Sequence, residues 1–229
     1  MVPWCSSGEM AMKKTLVAVM IVSMVLALTG CGDSNAPAPP AVTTQILSDP
    51  AFDGDIVQDL SGLFTVTQGN TQSVFAGIDP VTGAESRAFL DFQLTGLGGV
   101  PGNAIILSAN LDIFINSILP QPLTGTIPIR IDLVSFQPPL LTGTDFSRTI
   151  QPALATTTIV PPVSQADFGN HILVDVTSLM VEAQRLGLVD FQIRILEELG
   201  PVSPGLIEIN DTTGVNRSVL APLLQITYF

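Results

Sequence analysis

Hydrophobic and polar residues alternate with a period of two in block after block of this chain. Ile105, Leu107, Ala109, Leu111, Ile113 and Ile115 fall on one side of an extended backbone, and Ser108, Asn110, Asp112 and Asn116 on the other. Successive side chains of a strand point to opposite faces, so this run predicts a long strand with one buried and one wet side. Ala88, Leu90, Phe92 and Leu94 alternate likewise with Arg87, Phe89, Asp91 and Gln93, and Ile127, Ile129, Ile131 and Leu133 with Pro128, Arg130 and Asp132. Three more runs follow: Ile172, Val174 and Val176; Val189, Phe191, Ile193 and Ile195; and Leu224, Ile226 and Tyr228. Shorter candidates lie at 63–67, 73–78, 156–160 and 206–210, and Gly- and Pro-rich breaks at 96–102, 120–122, 138–139, 161–162 and 200–201 separate the runs. One segment reads as helix, capped at Thr177 or Ser178, running through Val181, Glu182 and Arg185, and stopped at Gly187. Many strands, regular breaks and one short helix predict an all-β fold, an antiparallel β-sandwich.

Composition agrees and narrows the class. The chain has 229 residues, 46% hydrophobic and 12% charged, with 19 Gly and 18 Pro, which excludes a coiled coil and suits a single domain. Eight basic against 20 acidic residues give a net charge of −12, so nucleic acid is excluded as a partner on electrostatic grounds.

The mean hydropathy of +0.50 owes much to one early segment. Lys13 and Lys14 precede an apolar run from Leu16 to Leu28, the basic head and short core of a secretory signal rather than a spanning helix. The run closes on Leu28-Thr29-Gly30-Cys31, which resembles the lipobox of bacterial lipoproteins. The resemblance implies cleavage before Cys31, lipid attachment to it, and residence in a bacterial cell envelope, facing the periplasm or the exterior. Residues 1–30 are then the signal, with translation starting at Met12, and residues 31–45 a Pro/Ala-rich flexible tether to a domain over 46–229. Processing would leave six Arg, no Lys and 19 acidic residues, with Cys31 the only cysteine, so no intrachain disulfide is expected.

Four ordered pieces carry a second resemblance: Arg87-Ala88-Phe89-Leu90-Asp91-Phe92, then the run from Gly102 to Leu111, then Val174-Asp175-Val176-Thr177, then Ala221-Pro222-Leu223-Leu224-Gln225-Ile226-Thr227-Tyr228. In that order they are similar to the DNRLRE-type β-sandwich domains of bacterial secreted proteins, over about residues 46–229. The literal DNRLRE hexapeptide is absent, and Ala221 stands where the terminal motif has Arg. The resemblance implies a fold like the jelly rolls of carbohydrate-binding modules, and sugar binding as one function.

Candidate chemistry is sparse. His171 is the sole histidine, and no G-x-S-x-G accompanies it, so a catalytic triad is not expected. No spacing singles out a carboxylate pair for glycoside hydrolysis. Residues 31–229 lack Trp and hold one Tyr, Tyr228, which weakens the aromatic stacking platform expected of sugar sites. Asp49, Asp53, Asp55 and Asp59 crowd one short stretch around Gly54. Hard cations want several oxygens at short range, so if a metal binds, calcium in this loop is the expectation; the alternative is a solvated acidic loop. Asn210-Asp211-Thr212-Thr213 is a second, weaker polar loop. The sequence reads as a lipid-anchored, non-catalytic β-sandwich module that binds or supports a partner protein or surface, with a carbohydrate-binding module as the alternative and a small glycan hydrolase further off.

Overall fold

The computed structural model describes residues 40–120, 123–136, 140–198 and 204–229, within a compact unit formed by Pro40–Phe229. Cys31, the signal and the tether up to residue 39 lie outside the described residues. Twelve strands follow in chain order: β1 (Val42–Leu47), β2 (Gly54–Gln58), β3 (Phe64–Gln68), β4 (Ser73–Ile78), β5 (Glu85–Gln93), β6 (Ile106–Pro120), β7 (Ile129–Val134), β8 (Ala155–Thr158), β9 (His171–Asp175), β10 (Asp190–Glu197), β11 (Gly205–Asn210) and β12 (Leu223–Tyr228). Two helices join them, α1 (Thr177–Arg185) before β10 and the single turn α2 (Arg217–Leu220) before β12. Every pairing among these strands is antiparallel. The fold is all-β and sandwich-like.

The longest alternating run becomes the longest strand, and β6 organises the rest. Its first half pairs with β12, its last residues pair with β11, and β9 lies along Asn110 to Phe114 on the edge opposite β12. The ladder continues as β1-β12-β6-β11-β4-β5-β10-β7-β8, with β2 joined to β5 and β3, so one sheet curls around its own core. Ala109, Leu111, Ile113 and Ile115 of β6 meet Leu90 and Phe92 of β5, Ile131 and Leu133 of β7, and Phe191 and Ile193 of β10 in that core. Each such fully buried aliphatic or aromatic side chain contributes roughly 1.5–3 kcal/mol. Thr177 to Arg185 is helical as expected, and Gly187 ends the excursion at φ +66, a left-handed conformation that suits glycine.

The structure departs from the sequence reading in three places. A register shift between Thr227 and Tyr228 bulges β6 opposite them, so Ile106 packs on the core while Leu107 turns outward, 46% exposed. The expected tether ends too late: Val42 to Gln45 are already strand, paired with Tyr228 to Gln225. The acidic stretch 49–59 is not one loop, because Gly54–Gln58 form β2 between β3 and β5. Flanking aspartates hide the short apolar pair Ile56-Val57 from a search for alternation.

Candidate functional site

The polar side of β5, β10 and β7 is roofed by a second apolar cluster. Ile56, Phe89 and Val134 from the sheet meet Phe136, Leu141 and Phe146 from the connection between β7 and β8. Side-chain amides pin this roof: Gln192 Oε1 accepts from the Phe136 N–H at 2.9 Å, and Gln68 Oε1 from the Leu141 N–H at 2.9 Å. Asp145 closes its turn by accepting from the Thr142 N–H and hydroxyl at 2.7 and 2.9 Å.

Arginines at outward positions of three adjacent strands converge beneath and beside the roof. Arg194 of β10 is fully buried; it donates to Asp132 Oδ2 at 2.7 Å and to the carbonyls of Asp145 and Gln151 at 3.0 and 3.1 Å. Arg130 of β7 donates to the other oxygen of Asp132 at 2.6 Å. Arg87 of β5 is held by Glu85 at 2.7 Å and by the Phe146 carbonyl, and its guanidinium carbon lies 3.9 Å from the centre of the Phe146 ring. Burial lowers the Arg87 pKa below its ordinary value; Glu85 offsets this, and the like charges of Arg194 and Arg148 push it further down.

These side chains border a cleft of about 640 Å³ lined by Arg87, Arg130, Arg148, Phe64, Phe146, Gln58, Ser147, Thr149, Ala153 and Thr156. Three arginines line it, and among the described residues no acidic side chain does. Phe64 is 38% exposed, and its ring lies 5.3 Å from that of Phe146, giving the cleft one apolar wall. Guanidinium groups match carboxylates and phosphates in shape as well as charge, so the arrangement suits an anionic group. Sequence reasoning missed these residues. Their signal was present, arginine at a polar position of three alternating runs, but the adjacency of β5, β10 and β7 was not.

The expected calcium loop is not assembled. Asp49 Oδ1 accepts from the Ala51 N–H at 2.9 Å in its own turn. Asp59 is exposed and caps another turn through Ser61 and Leu63, whose hydrogen bonds lower its pKa. Asp55 is buried on β2 beside the Phe75 N–H at 3.2 Å, and burial raises its pKa to about 6. Asp53 is also buried, with Oδ1 accepting from the Asp91 N–H at 2.8 Å; its neighbour is Asp211, from the other polar loop singled out in the sequence. Burial first, and the Asp211 charge second, raise the Asp53 pKa well above its ordinary value. Among the described residues no group of three or more His, Cys, Asp or Glu side chains is placed to hold a metal ion. Strand formation between Asp53 and Asp59 separates what the spacing had grouped.

His171 Nδ1 pairs with Asp112 Oδ1 at 2.8 Å on the outer face of β9 and β6, and no hydroxyl joins that pair among the described residues. No helix among the described residues is long and apolar enough to cross a membrane. Comparison with known proteins adds little: no family model and no curated protein matches the chain. Among solved structures it is similar to one described as the structure of the infectious bursal disease virus Gx strain, at 13% identity and a TM-score of 0.22. That likeness covers 83% of this chain and 38% of that one, and carries no argument at such a score.

Proposed function

We propose that this chain is a lipid-anchored, non-catalytic β-sandwich module of a bacterial cell envelope, which captures an anionic group of its partner in the arginine cleft. The observation that carries the reading is charge placement: in a chain of net charge −12, one cleft gathers three arginines and, among the described residues, no acid. Arg148 is half-buried and has no hydrogen bond or ion pair among the described residues, so it is the cation with capacity to spare. Arg87 and Arg130 are held by Glu85 and Asp132, and both line the cleft beside Arg148.

Binding of the full chain to soluble polyanions, with neutral polymers of equal length as controls, tests this. Binding should favour the polyanions, weaken with salt, and fall when Arg148 is replaced by Gln but not when the remote Arg185 is. Equal binding of neutral and charged polymers, or an Arg148→Gln variant as good as wild type, would contradict the reading. The anchor has its own test: Cys31→Ser should release the protein from membranes or leave it unprocessed, and unchanged retention and processing would remove that half of the proposal. Phe64 favours a second reading, a carbohydrate-binding module for acidic sugars, in which its exposed ring face meets sugar C–H groups while the arginines take the carboxylate. In that case Phe64→Ala should weaken binding to polyuronates and leave binding to acidic peptides unchanged.

A further inference from the structure

Resting on the reading of the arginine cleft as an anion site, we infer that its ligand is a dianion, a phosphate monoester, gripped by Arg130 and Arg148 while Arg87 stays a structural cation. Charge stoichiometry carries the inference. Four guanidinium groups gather here, Arg87, Arg130, Arg148 and Arg194, and their ion-pair partners among the described residues are two carboxylates. Glu85 serves Arg87 at 2.6 Å, while Asp132 is shared, one oxygen to Arg130 at 2.6 Å and the other to Arg194 at 2.7 Å. Two positive charges are thus left without a counter-charge of their own, and one dianion supplies both.

The four cations lie close enough to act on one another, since the charges of Arg194 and Arg148 both push the Arg87 pKa down. They differ in what they can still donate. Arg87 is spent, with Nε and one terminal nitrogen on Glu85 and the other terminal nitrogen on the Phe146 carbonyl. Arg194 is sealed from solvent. Arg130 uses Nε on Asp132, which fixes its plane and leaves a fork of two terminal nitrogens with no acceptor among the described residues. Thr156 stands across from Asp132 on β8, so its hydroxyl shares a face with that fork. Arg148, Ser147 and Thr149 reach the same cleft from the roof segment. Ser147 Oγ accepts from the Thr149 and Ile150 N–H groups at 3.3 Å, so its own proton is left to donate.

Donors arriving from both the sheet and the roof suit a tetrahedral group with three terminal oxygens better than a flat carboxylate with two. The Arg130 side chain is 19% exposed, and away from open water a second ligand charge counts for more. Phe64, on the apolar wall, takes the organic part of the ester. The surrounding acids are engaged: Glu85 and Asp132 by arginines, Asp145 by the Thr142 turn, and Asp59 by its own turn. Glu197 lies on the opposite face of β10 from Arg194, and His171 pairs with Asp112 on β9. Asp91, four residues along β5 from Arg87 and raised by burial to about 6, titrates in the same range as a phosphate ester, so a ligand of constant charge is the necessary control.

Calorimetric titration of the full chain with phenyl phosphate, phenyl sulfate, benzoate and inorganic phosphate tests the inference, because the first three share a ring and differ in charge and shape. At about pH 8 phenyl phosphate should bind about tenfold more tightly than phenyl sulfate or benzoate. At about pH 5, with the second ionisation near 6 reversed, it should weaken about tenfold while phenyl sulfate is unchanged. Arg148→Gln should bring phenyl phosphate down to the level of phenyl sulfate, and Arg185→Gln should alter neither. Phe64→Ala should weaken phenyl phosphate and leave inorganic phosphate as it was. Equal affinity for the two esters, no heat with phenyl phosphate, or a pH response no larger than that of the sulfate would overturn the inference, even where Arg148-dependent binding of polyanions persists and the wider reading stands. A phosphate preference that survives Arg148→Gln, or inorganic phosphate binding as tightly as the ester, would overturn it as well.

Discussion

Asp132, fully buried, accepts from Arg130 through one oxygen and from Arg194 through the other, so each arginine secures part of one buried charge. Arg194 is itself sealed, and its Nε has no acceptor, which means its two terminal nitrogens carry all of its compensation. Removing one partner of a buried pair leaves the other charge without solvent, at a cost of about 3–5 kcal/mol. Arg194→Ala should therefore destabilise the domain by that amount in urea denaturation, or prevent folding. Arg148→Ala, lacking any partner to orphan, should change stability by less than about 0.5 kcal/mol while weakening anion binding. Similar stability losses in the two variants would show that the roofed face does not depend on this pair.

At the level of elements, the seam between β4 and β11 depends on close backbone approach. Gly77 in β4 has φ +117, and a Cβ placed there would lie 2.1 Å from the Gly205 carbonyl of β11. Gly77→Ala meets both a disfavoured conformation and a backbone clash, so it should lower stability by more than about 1 kcal/mol, visible as a reduced melting temperature. Wild-type stability in that variant would mean that the seam can open without loss. Strong alternation made β5, β6, β7, β9, β10 and β12 legible in the sequence, because each strand turns one apolar face to the core. β1 and β2 were not legible. β1 is an edge strand with largely exposed side chains, and β2 contributes buried polar Asp55 beside Ile56. The arginine cleft was hidden for another reason: period-two patterning says which residues share a face, while cross-strand neighbours are decided by long-range pairing such as Arg194 opposite Phe89 and Asp132. The Asp53–Asp211 contact is the extreme case, bridging nearly the full length of the domain.

For the molecule as a whole, acidity and burial together set an unusual dependence on pH. Glu197 is almost fully buried, Oε2 accepts from the Ile78 N–H at 3.1 Å, Oε1 has no donor, and burial raises its pKa to about 7. Its unfolded value is 4.5, so between that pH and about 7 the folded state holds a proton that the unfolded chain has released. The associated stability is complete below the unfolded pKa and is lost as pH rises through about 7, on the order of 2 kcal/mol. Self-repulsion at a net charge of −12 acts in the same direction. Denaturation should therefore need more urea at about pH 5 than at about pH 8, and Glu197→Gln should shrink the difference. A wild-type profile that is flat or reversed over this interval would contradict the assignment.

The pairing of the first strand with the last has a mechanical meaning. β1 enters the described fold from residue 40, and its six residues, Val42 to Leu47, lie against Tyr228 to Leu223 of β12, which in turn lies against β6, the third strand of the ladder. Tension applied to the backbone at residue 40 along the axis of β1 loads these six registers in shear, all at once. The same tension applied across the axis peels them one pair after another and needs far less force. When the N-terminal side of this domain is held and a load acts on the rest of it, the β1–β12 ladder is the first joint in series, and the angle of pull decides whether it behaves as a rivet or a zip.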